Sequence, residues 1–126
     1  MRAARETGKS LGGLKLKEKQ LALICSQFSI ILTSGLSVDK CVEMVAAQTK
    51  DKELRAMLQK VARDVAGGYG LAQSFENNCK SLPATFTETI RAGEQSGTLE
   101  TCFDRLHTYY DKSAKTKAKV VSTLTY

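Results

Sequence analysis

The sequence predicts an all-α fold, a six-helix bundle of short antiparallel helices. Three observations predict it. From Lys17 onward, apolar residues recur at the three-and-four spacing of a buried helix face. Glycines and the one proline fall between these stripes, with Gly93 the exception. No alternating apolar–polar run of useful length marks a strand. The 126 residues suffice for a single domain, and the helical part covers residues 17–112.

Residues 1–16 hold three glycines and scattered Arg and Lys without periodicity, and read as a flexible linker. In 17–34 the stripe is Leu21, Ile24, Cys25, Phe28, Ile31 and Leu32. Gly35 ends that helix, because glycine takes a left-handed cap without a Cβ penalty. Ser37 is placed to cap the second helix, and Asp39 suits its positive end. Its stripe is Val38, Cys41, Val42 and Val45. Thr49 or Asp51 caps the third, with Leu54, Met57, Leu58, Val61 and Val65 inside. Gly67, Gly68 and Gly70 break the chain before a short fourth helix that carries Leu71 and Phe75 and fades at Asn77 and Asn78.

Pro83 suits the first turn of the fifth helix, where a missing N–H is harmless. Phe86 and Ile90 are its buried residues. Gly97 ends it, and Thr98 caps the sixth helix with Glu100 in the first turn. The last stripe is Leu99, Cys102, Phe103 and Leu106, followed by either Tyr109 or Tyr110.

A formal net charge of +6 invites an acidic partner, so the location of the charge matters. Residues 1–19 carry six basic residues against Glu6 and Glu18. Residues 111–126 carry Lys112, Lys115, Lys117 and Lys119 against Asp111. Residues 20–110 hold nine basic and ten acidic residues and are balanced. The basicity therefore belongs to the two ends. A basic-tailed helical domain that binds nucleic acid is the alternative reading, but such domains usually place Lys and Arg on the folded face. The plain reading of the N-terminal charge is a solvated arm.

No catalytic constellation emerges, and no cofactor is called for. Cys25, Cys41, Cys79 and Cys102 lack the close spacing of a zinc site. Three of them fall on buried stripes as small hydrophobes, while Cys79, among Asn77, Asn78, Lys80 and Ser81, reads as exposed. Asp104, His107 and Asp111 share one helix face, which reads as solvated surface rather than a metal site. Gly67-Gly68-Tyr69-Gly70 lacks the Lys and Ser/Thr of a phosphate loop. The longest strictly apolar stretch, residues 21–25, is far too short to span a bilayer.

The informative segment is Gly93-Glu94-Gln95-Ser96-Gly97-Thr98-Leu99. A glycine inside a helix costs about 1 kcal/mol relative to alanine, which is offset where another helix must approach closely. Glu94 is placed to accept from free N–H groups at the start of the sixth helix or to pair with Arg91. Gly93, Glu94, Ser96, Gly97 and Leu99 thus read mainly as the join between the fifth and sixth helices. Leu23 and Ile30 lie off the first helix's main stripe and form a candidate dimer face.

Gly93-Glu94-x-Ser96-Gly97-x-Leu99 resembles the signature of the type II secretion system protein F domain family. Other stretches resemble it in the same order. These are Gln27-Phe28-Ser29 through Ser34-Gly35-Leu36, then Gly68-x-Gly70-Leu71 with Phe75, then Leu82-Pro83 with Phe86 and Ile90. Residues 117–126 resemble the family's approach to its first membrane span, where a Lys-rich helix end, here Lys117 and Lys119, meets a small–Leu–x–Tyr sequence, here Thr123, Leu124 and Tyr126. Ser37, Gly70 and Thr123 stand where the family often has Pro, Ser and Ala.

The resemblance implies a non-catalytic platform protein of the bacterial inner membrane, serving type II secretion or type IV pilus assembly. It implies that this chain is the first cytoplasmic domain, with 113–126 the juxtamembrane end of the last helix and the start of a truncated membrane span. The implied partners are a second copy in a homodimer, a hexameric assembly ATPase, neighbouring inner-membrane proteins, and pilins or pseudopilins. No nucleic acid is implied. Lys112, Lys115, Lys117 and Lys119 would then sit on the cytoplasmic side of a span, where anionic headgroups attract each by about 1 kcal/mol.

Overall fold

Local sequence punctuation sets six helices in a computed structural model that describes residues 16–125, with side chains described to Lys117. They are α1 (Glu18–Thr33), α2 (Val38–Gln48), α3 (Lys52–Ala66), α4 (Leu71–Asn78), α5 (Ala84–Ser96) and α6 (Leu99–Thr125). The described residues contain no strand, and the fold is all-α. The linker assigned to 1–16 lies outside the described residues except for Leu16, which packs against the core.

Each helix end has a physical cause. Lys17 N–H donates to the Gln20 side chain and opens α1. The Asp51 carboxylate accepts from Leu54 N–H at 3.0 Å, so Asp51 caps α3, while Thr49 Oγ1 donates to Val45 O. Ser37 occupies the N-cap position of α2 but does not cap it. Its hydroxyl donates to Asp39 Oδ1 at 2.7 Å instead. Pro83 stands one residue before α5 rather than in its first turn, in extended conformation.

The helix α1 runs antiparallel to α6. Three contacts at successive heights establish this: Ser29 with Glu100, Ala22 with His107, and Glu18 with Ser113. Likewise α4 runs antiparallel to α5, since Leu71 meets Glu94 and Glu76 meets Arg91. Asp64 of α3 accepts from the Asn78 amide at 2.8 Å and ties α3 to the end of α4.

All four phenylalanines of the chain meet in one cluster. Phe28 stacks on Phe103 with centroids 4.5 Å apart, and Phe75 meets the edge of Phe86 at 5.0 Å. Such aromatic pairs contribute about 0.5–1.5 kcal/mol beyond the area they bury. One residue from each of α1, α4, α5 and α6 is thereby locked at the centre. Tyr110, not Tyr109, completes the α6 stripe: the first is buried and the second is 56% exposed.

Cys79 corrects the sequence expectation. It is 2% exposed, because its backbone N–H closes the end of α4 on Phe75 O and the thiol turns inward. Burial also pushes the Cys41 thiol up to about 11 and raises that of Cys25.

Candidate functional site

The site begins with Gly93 in the last turns of α5. A Cβ built there would stand 2.8 Å from Cys102 Sγ and 3.2 Å from Leu99 Cδ2. The missing side chain leaves room for the start of α6 to lie directly on α5. Gly97 then takes φ +72°, and the N–H groups of Gly97 and Thr98 both return to Gly93 O. This left-handed closure ends α5 on the Gly93 carbonyl and reverses the chain. Ser96 Oγ donates to Ala92 O at 3.0 Å and meets Thr98 Oγ1 at 2.7 Å. Leu99 is partly buried against the core.

Glu94 departs from the sequence expectation. Its carboxylate does not reach the start of α6, and it does not pair with Arg91. It accepts from Leu71 N–H at 2.5 Å and from Ala72 N–H at 3.1 Å, the open end of α4. Arg91 instead pairs with Glu76 of α4 at 2.5 Å. The chemistry is the expected one, a carboxylate on free helix N–H groups, but the recipient helix differs. It fits because α4 begins with Gly70, which has no capping side chain. Gly70 is also small enough to admit the carboxylate: a Cβ there would stand 3.1 Å from Glu94 Oε2. Two adjacent residues therefore join three helices, Gly93 fastening α5 to α6 and Glu94 fastening α5 to α4.

Sequence reasoning missed the partners of Gly70, Cys102, Glu76 and Glu18, which are Glu94, Gly93, Arg91 and Lys117. A helix start without a capping side chain and a carboxylate between two glycines are separate signals. Only the α4–α5 pairing shows that they belong together.

The basic group lies toward the other end of α6, roughly 20–30 Å from Leu99 along the helix. Lys112, Lys115 and Lys117 are exposed there, and Lys119 follows in the same helix with its side chain outside the described residues. Lys115 pairs with Asp111 at 3.1 Å. Lys117 pairs with Glu18 of α1, and Ser113 Oγ donates to the same carboxylate. These contacts, Lys117 first, hold the Glu18 carboxyl below its ordinary value. The structure thus keeps the motif and the lysines apart.

His107 points its Nδ1 at Ala22 O, 3.1 Å away, across the α1–α6 contact. Among the described residues no group of His, Cys, Asp and Glu is arranged to hold a metal ion. None of the described helices is long and apolar enough to cross a membrane. Leu23 and Ile30 are 60% and 68% exposed on α1. A groove of about 380 Å³ between α1 and the α2–α3 connection is lined by Leu23, Gln27, Thr49 and Leu54 among others.

Residues 24–126 match the family model described as type II secretion system (T2SS), protein F. The chain is 29% identical over 117 residues to the type IV pilus assembly protein TapC of Aeromonas hydrophila, covering 93% of this chain and 28% of that protein. It is 28% identical over 124 residues to the type IV pilus assembly protein PilC of Pseudomonas aeruginosa, covering 97% and 33%. It is 31% identical over 106 residues to the type II secretion system protein F of Vibrio cholerae, covering 84% and 26%. The chain therefore spans between a quarter and a third of the length of these relatives.

Proposed function

The chain belongs to the type II secretion system protein F family, and from that membership we propose that it is a non-catalytic domain of an inner-membrane platform protein. The machine it serves is a type IV pilus or a type II secretion system. Its work is mechanical. It docks the assembly ATPase and neighbouring inner-membrane components, so that hydrolysis by the partner drives pilin or pseudopilin assembly.

The observation that carries this reading is the reach of the family match, which runs from within α1 through α6 and so takes in nearly the whole described bundle. The motif geometry supports a non-catalytic role. Both Glu94 oxygens are engaged by backbone N–H groups, and Gly93 is filled over by Cys102 and Leu99. In this reading residues 17–112 form the cytoplasmic unit, and 113–126 lead into a membrane span. Gly93, Glu94, Ser96, Gly97 and Leu99 keep the bundle rigid enough to bear load. The α1 face carrying Leu23 and Ile30 is the self-association surface, where exposed apolar side chains gain most from burial.

The test is genetic. Removing residues 17–112 in frame from the host's protein should abolish surface pili or release of type II substrates, while the assembly ATPase keeps its hydrolytic activity. A strain that still assembles pili and secretes normally overturns the reading.

A further inference from the structure

We propose that the start of α1 and the end of α6 together form one lysine-rich face that docks on an anionic lipid bilayer. This rests on the platform reading and deepens it, because α1 joins the C-terminal lysines as part of the contact.

The antiparallel pairing makes the face. The contact of Glu18 with Ser113 and Lys117 places the first turn of α1 beside the late turns of α6. Lys17 and Lys19 therefore share one end of the bundle with Lys112, Lys115 and Lys117, and all five are exposed. Among the described residues two carboxylates oppose them there, Glu18 on Lys117 and Asp111 on Lys115. The other end of the same helix pair has Glu100 and Asp104 against Arg105. The pair is thus polarised along its length, with its positive pole where α6 runs on to Thr125.

The order of residues beyond that pole selects the partner. Lys119 is followed by Val120, Val121 and Leu124, so charge gives way to apolar side chains along one helix. A bilayer presents the same order, anionic headgroups and then acyl chains. A nucleic-acid duplex offers phosphate throughout and nothing for the apolar residues. Glu18 acts as the positioning residue, since it fixes Lys117 and Ser113 and holds the two helices at one height.

The test is flotation of the full chain with vesicles of equal parts phosphatidylserine and phosphatidylcholine, and with phosphatidylcholine alone. The pair Lys17→Gln and Lys19→Gln should lower partitioning by about tenfold or more, since each lysine near such a surface contributes about fivefold. The pair Lys112→Gln and Lys115→Gln should do the same. Neutral vesicles should float neither variant nor the parent chain, and added salt should weaken the binding. Unchanged melting temperatures would confirm that these exposed substitutions leave the fold intact.

If only the α6 pair lowers binding, α1 is not part of the face, while the platform reading stands. Absence of binding to anionic vesicles overturns the face outright, leaving the platform reading to its own genetic test. Tighter binding to a DNA duplex than to anionic vesicles at equal salt overturns it in favour of nucleic acid.

Discussion

The carboxylate of Glu94 stands 2.5 Å from the backbone nitrogen of Leu71, so a side chain of α5 closes the open end of α4. A second bond, to Ala72 N–H, makes the closure two-pronged. The cap is delivered from a different helix, and it therefore fixes tertiary packing as well as a helix end.

Glu94→Ala should destabilise the bundle by about 1–3 kcal/mol, the usual loss when a charge-assisted hydrogen bond leaves donors unpaired. Urea denaturation measures this. Gly70→Ala should also destabilise, because its Cβ crowds the same carboxylate at 3.1 and 3.3 Å. The two effects should not add: in the Glu94→Ala background, Gly70→Ala should have little effect. Full additivity would show that Gly70 is not kept small for the carboxylate.

Gly93→Ala tests the other half of the join. Alanine would ordinarily stabilise a helix by about 1 kcal/mol relative to glycine. Here the new Cβ would lie 2.8 Å from Cys102 Sγ, and overpacking should reverse the sign, with a net loss of about 1–3 kcal/mol. Cys102→Ala should recover part of that loss. A melting temperature unchanged or raised by Gly93→Ala alone would remove the close-approach argument.

These joins also show what the sequence could and could not disclose. The stripes of α1 through α6 were legible because each helix buries one face, and glycines and Pro83 mark the breaks. Gly93 was legible for the same reason, as a glycine where periodicity wants a larger residue. The partner of Glu94 was not, because two helix starts lie within reach of α5 and local pattern does not say which one packs beside it. Cys79 was misjudged from its polar sequence neighbours, which surround it in the chain but not in space. The choice between Tyr109 and Tyr110 needed the direction in which α6 faces α1.

Stability should fall on both sides of neutral pH. The hydrogen bond from Lys117, then that from Ser113, holds the Glu18 carboxyl below its ordinary 4.5, and Ser37 lowers Asp39 in the same way. A depressed folded value stabilises the fold above the unfolded value and is lost as pH falls through the folded one. Chemical denaturation should therefore show stability declining below about pH 5, with a shallower decline in Glu18→Gln.

On the alkaline side, burial raises Cys41 from 9.0 to about 11 and also raises Cys25 and Tyr110. Groups raised on folding stabilise fully below their unfolded values. That contribution is lost as pH climbs from the ordinary thiol value near 9 toward the folded ones. Stability constant up to pH about 11 would contradict the burial of these groups.

The most direct measurement of the central claim is sedimentation velocity of the chain with the purified hexameric assembly ATPase of its own host. The platform account predicts a saturable complex in which the ATPase boundary shifts on addition of the chain. It predicts that Glu94→Ala weakens this complex only in proportion to the unfolded fraction. An ATPase boundary that does not move at high micromolar chain would contradict the account.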